Sequence, residues 1–228
     1  MKLTVIIPAL NEAGRIGARL AELGAMPEVD EIVVVDGGST DATVRIASAH
    51  RAARLIQAPR GRASQQNAGA ARATGEVLLF LHADVSLPKD AARAAKEALQ
   101  DPAVVAGAFR TWTVADAAPS LLAPLLHLAD LRSRYTSLPY GDQAIFVRAD
   151  AFRAVGGFPN QPLMEDLELS RRLGRLGRIR VLSSSVRVSG RRFLARPIFY
   201  TLAVNVFPFL YALGVPPATL KRLYGDPR

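Results

Sequence analysis

A chain of 228 residues, 50% of them hydrophobic and none of them cysteine, is long and apolar enough to bury a sizeable core. The missing cysteines exclude a disulfide framework and a thiolate metal site, fit a reducing cytosol, and leave oxygen or imidazole to hold any metal. The net charge of +9 is uneven: through Ser170 there are 17 Lys and Arg against 19 Asp and Glu, and from Arg171 onward 12 against one, unlike a uniformly basic nucleic-acid binder.

The first hundred residues alternate strand and helix. A strand is predicted over 3–8 and a helix over 13–24, and the apolar run before Asn11 is too short for a signal peptide, so folding is expected to start near residue 3. Strands over 31–35, 53–57 and 77–81 then alternate with helices over 42–50, 63–73 and 89–99, the last opening on Pro88. This is the pattern of a parallel sheet covered on both faces. After Asp101-Pro102 the pattern changes to strand-like runs over 104–114 and 140–147, a helix over 165–176 and a strand over 179–188. The reading is one domain over 1–190, with a nucleotide-type half at 1–100 and an acceptor-type half at 101–190, followed by a basic and apolar helical tail at 191–228.

Three of the apolar strands run into polar groups. Val77 to Leu81 stops at His82-Ala83-Asp84, Ile32 to Val35 runs into Asp36-Gly37-Gly38-Ser39-Thr40-Asp41, and Val5 to Pro8 runs into Ala9-Leu10-Asn11-Glu12. In an open α/β sheet ligands collect beyond the carboxyl ends of the strands, so these groups should share one edge. The glycine turn after Asp36 is explained by turn and cap chemistry except for Asp36 itself, an acid able to accept from a base N–H or a ribose hydroxyl. Neither G-x-G-x-x-G nor the Walker motif is present, which argues against a dehydrogenase or a P-loop enzyme. A second acidic cluster, Glu165-Asp166, opens a helix whose Leu167, Leu169 and Leu173 supply a buried stripe.

Residues 197–215 carry no charge for 19 positions and directly follow Arg191, Arg192 and Arg196. Pro208 and Asn205 interrupt the run. Three readings stay open: a helix packed on the protein or on a dimer partner, a helix lying in the membrane interface, and a transmembrane span.

Taken in order, Pro8-Ala9-Leu10-Asn11-Glu12, Asp36-Gly37-Gly38-Ser39-Thr40-Asp41, His82-Ala83-Asp84, Gly156-Gly157-Phe158 and Glu165-Asp166 resemble the motifs of the family 2 glycosyltransferases, and within them the chain looks like the radical-SAM/selenodomain-associated transferase 2 group. The resemblance implies a GT-A fold, a Rossmann-like three-layer α/β sandwich with a mostly parallel central sheet. It also implies an inverting, metal-dependent transfer of a sugar from a nucleoside diphosphate sugar, UDP-sugar favoured, to an acceptor hydroxyl that is lipid-like or belongs to a small metabolite.

Carried over residue by residue, Pro8, Ala9, Glu12 and Asp36 line the nucleotide site, and Asp84 binds Mg²⁺ or Mn²⁺ at the donor diphosphate; beside them Arg62 is read from the residues alone, either as a donor contact or as part of a solvated loop leading into a helix. His82, where the family commonly has aspartate, is a further candidate metal ligand. Asp166 is the catalytic base, and Asp142, Gln143 and Glu165 meet the acceptor; the charge of a departing diphosphate makes Arg191 and Arg192 candidates for a clamp on it. Trp112 stacks on a sugar or sits in the core. Location follows as cytoplasmic, including the inner face of the cell membrane, with no nucleic-acid partner. The alternatives are a nucleotidyltransferase on a similar sheet and a non-catalytic, membrane-attached nucleotide-sugar binder.

Overall fold

The structure, a computed structural model, describes residues 1–114, 127, 130, 131, 133–190 and 196–225. Its strands are β1 (Leu3–Ala9), β2 (Glu31–Asp36), β3 (Ala53–Gln57), β4 (Val77–Phe80), β5 (Val85–Ser86), β6 (Val104–Val114), β7 (Phe146–Arg148) and β8 (Arg178–Ser189). They form one sheet in the order β3-β2-β1-β4-β7-β6-β8-β5. The amino-terminal half pairs in parallel, β1 with β2 and β4 and β2 with β3, while β7 runs antiparallel to both β4 and β6. β1, β2 and β4 lie in the middle and are buried almost throughout, which is why they read as unbroken apolar runs.

Helices α1 (Ala13–Gly24), α2 (Thr43–Ala49) and α4 (Ala91–Ala98) cover one face of the sheet, and α3 (Arg62–Arg72), α5 (Ala149–Ala154) and α6 (Glu165–Leu176) the other. On the first face Ile16 and Leu20 of α1 join Val5, Ile7 and Val34 in one apolar cluster. On the second Phe80 of β4 packs against Phe152 and Phe158 with centroids 5.1 and 4.8 Å apart. Each phenyl ring buried in this way stabilises the fold by roughly 1.5–3 kcal/mol. Gly69 lets α3 approach the sheet, since a Cβ there would collide with Ile6.

The strand expected over 140–147 is corrected. Residues Gly141–Gln143 form a 3₁₀ turn, Ala144 takes φ 48°, and extended backbone resumes only at Phe146. Tertiary hydrogen bonds hold the turn: the Gly141 N–H donates to Asp166, and the Gln143 side chain bonds both the Tyr140 N–H and the Phe109 carbonyl.

The tail forms α7 (Pro197–Ala212) and α8 (Pro217–Tyr224). At 1.5 Å per residue α7 is about 24 Å long, short of the roughly 30 Å hydrocarbon core of a bilayer. Among the described residues no helix is long and apolar enough to cross a membrane, which removes the transmembrane reading of 197–215. One side of α7 packs on the domain, where Ala203 and Phe207 join Tyr140, Leu163, Met164, Leu167 and Leu220 in a third apolar cluster.

Candidate active site

The carboxyl ends of β1 and β2 lie side by side, with Pro8 opposite Val35 and Ala9 opposite Asp36. Their loops are knitted together. Asn11 accepts the Thr40 N–H on Oδ1 at 2.8 Å and donates its own N–H to Ser39 Oγ at 2.9 Å. The Glu12 and Ala13 amides donate to Thr43 Oγ1 and Asp41 Oδ2 at 2.8 and 3.1 Å. Asp36, only 1% exposed, accepts the Gly38 and Ser39 amides at 3.0 and 3.2 Å, so this acid also shapes its own turn. Beneath them the buried Gln65 amide donates to the carbonyls of both Ala9 and Val35 at 2.8 Å, tying α3 to the two strand ends.

Beside this floor a cavity of about 140 Å³ is lined by Arg62, His82, Asp84, Tyr140, Asp142 and Asp166, with Leu163 and Met164. Its outer wall comes from the tail, through Ala203, Val204 and Phe207 of α7 and Tyr224 of α8. β4 delivers His82 and Asp84 because its apolar run ends at the sheet edge, and the Asp84 carbonyl accepts the Ser189 N–H at 3.2 Å from the end of β8. On the far side Asp166 stands in the first turn of α6, where the helix dipole favours a carboxylate. Its Oδ2 accepts the Gly141 N–H at 2.6 Å and its Oδ1 the Leu167 N–H at 2.7 Å. A Cβ on Gly141 would lie 2.9 Å from His82 Nε2 and 3.2 Å from Asp166 Oδ2, so the bare Cα of this glycine is the spot where the two side chains approach.

Glu165 and Arg62 form the main ion pair here, Nε to Oε1 at 2.7 Å, with Glu165 3% exposed. Burial pushes the Glu165 carboxyl above its ordinary range, against the lowering effect of Arg62 and with a further upward push from Asp166. The same carboxylate holds the Arg62 guanidinium more firmly protonated. Among the described residues Asn11, Ala144 and Met164 are the non-glycine residues with positive φ, at 54°, 48° and 64°. All three belong to the loops that carry these side chains, where strained backbone commonly gathers at functional sites.

The structure therefore brings together Arg62, His82, Asp84, Asp142 and Asp166. Pro8, Ala9, Glu12 and Asp36 are buried at the neighbouring strand ends rather than in the cavity lining. Gln143 is corrected from acceptor contact to scaffold: it is 0% exposed, with its amide engaged by Tyr140 and Phe109. Glu165 is likewise turned toward Arg62, its carboxylate buried in the pair. Arg191 and Arg192 lie outside the described residues. Trp112 is not core; it is 45% exposed and its ring lies 4.3 Å from that of His127. Tyr140, Gln65 and the four tail residues were not anticipated from sequence. The uncharged run at 197–215 was the available signal for the tail, but it does not say which side meets the protein. Among the described residues no three His, Asp or Glu side chains converge on one point to hold a metal unaided.

The model of glycosyl transferase family 2 matches residues 4–155, well over half of the chain and covering the strand ends, the His82-Ala83-Asp84 rim and the Gly141–Gln143 turn. The chain belongs to this family. It is 36% identical over 84 residues to an uncharacterized glycosyltransferase of Mycobacterium tuberculosis, 37% of each chain. It is 37% identical over 91 residues to another from Nostoc sp., 37% of this chain and 28% of the relative. The matched stretch is thus well under half of these curated relatives' length. Solved structures share the GT-A fold. The S. aureus TarS structure in complex with UDP-GlcNAc aligns with a TM-score of 0.66 at 22% identity, covering 83% of this chain and 58% of that one. The mannosyltransferase PcManGT from Pyrobaculum calidifontis, in complex with GDP-Man and Mn²⁺, aligns at 0.67 and 24%, covering 97% and 67%. Glucosyl-3-phosphoglycerate synthase from Mycobacterium tuberculosis, in complex with Mn²⁺, UDP and phosphoglyceric acid, aligns at 0.66 and 21%, covering 94% and 79%.

Proposed function

We propose that the chain transfers a sugar from a nucleoside diphosphate sugar to an acceptor hydroxyl with inversion at the anomeric carbon. The observation that carries this reading is the placement of Asp84 and Asp166 in the lining of one cavity, one at the end of a central strand and the other at the start of α6. A single displacement needs charge neutralisation at the leaving group and a base on the attacking hydroxyl, and it inverts the centre. The complexes of TarS, PcManGT and glucosyl-3-phosphoglycerate synthase with sugar nucleotides or UDP support the donor class.

The nucleotide rests on the joined ends of β1 and β2, with Asp36 toward the base and Pro8, Ala9 and Glu12 beneath base and ribose. Asp84, with His82 beside it, would hold a divalent ion. Two protein donors suit a site that substrate phosphates and water complete, the usual way Mg²⁺ and related ions meet nucleotides, and the Mn²⁺ in two of the solved relatives supports the same class. When bound, such an ion supplies charge neutralisation at the departing diphosphate. Asp166 accepts the acceptor's proton on a carboxylate that the Gly141 and Leu167 amides hold in place. Arg62, paired with Glu165, keeps a positive charge at the cavity edge where the diphosphate leaves. Asp142 orients the acceptor, and Leu163, Met164, Val204 and Phe207 favour one with an apolar portion. Arg191 and Arg192 complete the clamp on the diphosphate.

The test is a thermal-shift panel of UDP, GDP, dTDP, CDP and their common sugars, each with Mg²⁺, Mn²⁺ or EDTA. One nucleotide class is expected to raise the melting temperature in a metal-dependent way. That shift should vanish in Asp84→Ala and persist in Asp166→Asn. No shift with any nucleotide in the wild type would overturn the reading.

A further inference from the structure

We propose that the outward face of α7 docks on an anionic lipid surface. This inference does not depend on the sugar-transfer reading. Ile198, Leu202, Val206, Phe209 and Leu213 are 66, 58, 43, 63 and 67% exposed. Their spacings of four, four, three and four residues, at about 100° per residue, place all five within an arc of roughly 80°. The opposite side of the helix holds Ala203 and Phe207, which are buried against the domain. α7 is therefore largely apolar on both sides, with the exposed Asn205 bordering the outer row, and is covered by protein on one. A helix that is apolar all round normally belongs inside a core or a membrane. The five residues form one contiguous row of a kind that marks a docking site.

Charge selects the occupant. Over residues 196–225, which hold α7 and α8, the chain has three cations, Arg196, Lys221 and Arg222, and no acid. The exposed Arg196 directly precedes α7. α8 folds back along α7, with the Tyr224 ring 5.3 Å from Tyr200 and 5.9 Å from Phe207, and the neighbouring Arg222 and Leu223 are exposed. A second copy of this chain meeting the row across a two-fold axis would set the same cations against themselves. An anionic headgroup layer attracts them while the acyl boundary receives the row, the geometry of an interfacial helix. The cavity, lined by Val204 and Phe207 of the same helix, would then lie about one helix diameter, roughly 10 Å, from the lipid.

The experiment is flotation of the full chain with vesicles of phosphatidylcholine alone and of phosphatidylcholine mixed with phosphatidylglycerol. Binding to the anionic vesicles is expected, falling in high salt. Leu202→Asp/Phe209→Asp should weaken it on the order of tenfold or more, and Arg222→Glu should weaken it measurably. Because these side chains are exposed, the variants should melt like the wild type and keep any nucleotide-induced shift in vesicle-free buffer, which separates failure of docking from failure of the catalytic reading. Equal binding to both vesicle types, no binding to either, or undiminished binding by the double variant would overturn the proposal. A dimer in sedimentation velocity that Leu202→Asp/Phe209→Asp dissociates would assign the face to a second copy instead.

Discussion

Arg62 Nε lies 2.7 Å from Glu165 Oε1, joining the start of α3 to the start of α6 across 103 positions of sequence. The pair links the helix that ties down the β1 and β2 ends to the helix that carries Asp166. Removing one partner of a buried pair commonly costs about 3–5 kcal/mol, and the 29% exposure of the Arg62 side chain puts this case toward the lower end. Arg62→Ala should therefore lower the melting temperature clearly, and Arg62→Ala/Glu165→Gln should recover part of the loss. A double-mutant cycle by thermal or urea unfolding reads the coupling.

Asp166→Asn retains an oxygen for the Gly141 amide but cannot accept a proton. On the catalytic reading kcat should drop by about 10²–10⁴-fold, with donor affinity by calorimetry within a few-fold of wild type. Equal losses in kcat and donor binding would make Asp166 a donor-site residue.

Gly141→Ala tests the meeting point of His82 and Asp166. The added methyl group would press on His82 Nε2 and Asp166 Oδ2. Activity should fall by more than the change in melting temperature accounts for, because the conflict is with the two cavity side chains.

Gln65→Leu removes both amide bonds that hold the Ala9 and Val35 carbonyls. Ala9 still receives the Gly37 N–H and Val35 lies in the β1–β2 ladder, so the loss is that of two net hydrogen bonds, about 1–3 kcal/mol by urea unfolding.

Asp41 supplies the pH prediction. Hydrogen bonds from the Thr43 hydroxyl, then from the Thr43 and Ala13 amides, hold its carboxyl below the ordinary 3.8. A depressed carboxylate contributes stability that is present above the unfolded value and lost as pH falls through the folded one. The melting temperature of Asp41→Asn should thus lie below wild type at neutral pH, and the two should converge as the pH is taken below 3.8.

How far the chain could be read beforehand depended on where each side chain finds its partner. The helices over 13–24 and 165–176 and the strands over 53–57 and 104–114 match the observed bounds, since local periodicity and end signals settle them. His82 and Asp84 were legible as rim residues because they follow the end of β4, whereas Asp166, in the first turn of α6, was placed opposite them by the family resemblance. Gln143 and Gln65 were not, because their bonds reach carbonyls 34 and 56 residues away and leave no local trace. The 3₁₀ turn at Gly141–Gln143 was missed for the same reason: the apolar and extended-looking run is overruled by contacts to Asp166 and Phe109.

The tail residues that wall the cavity follow every strand of the sheet in the chain. During synthesis, all eight strands therefore leave the ribosome before the outer wall does. Until α7 and α8 arrive, Tyr140, Leu163, Met164 and Leu167 present an uncovered apolar patch beside the acids. The helices that emerge after the whole sheet are thus the ones that turn an open sheet edge into a walled pocket.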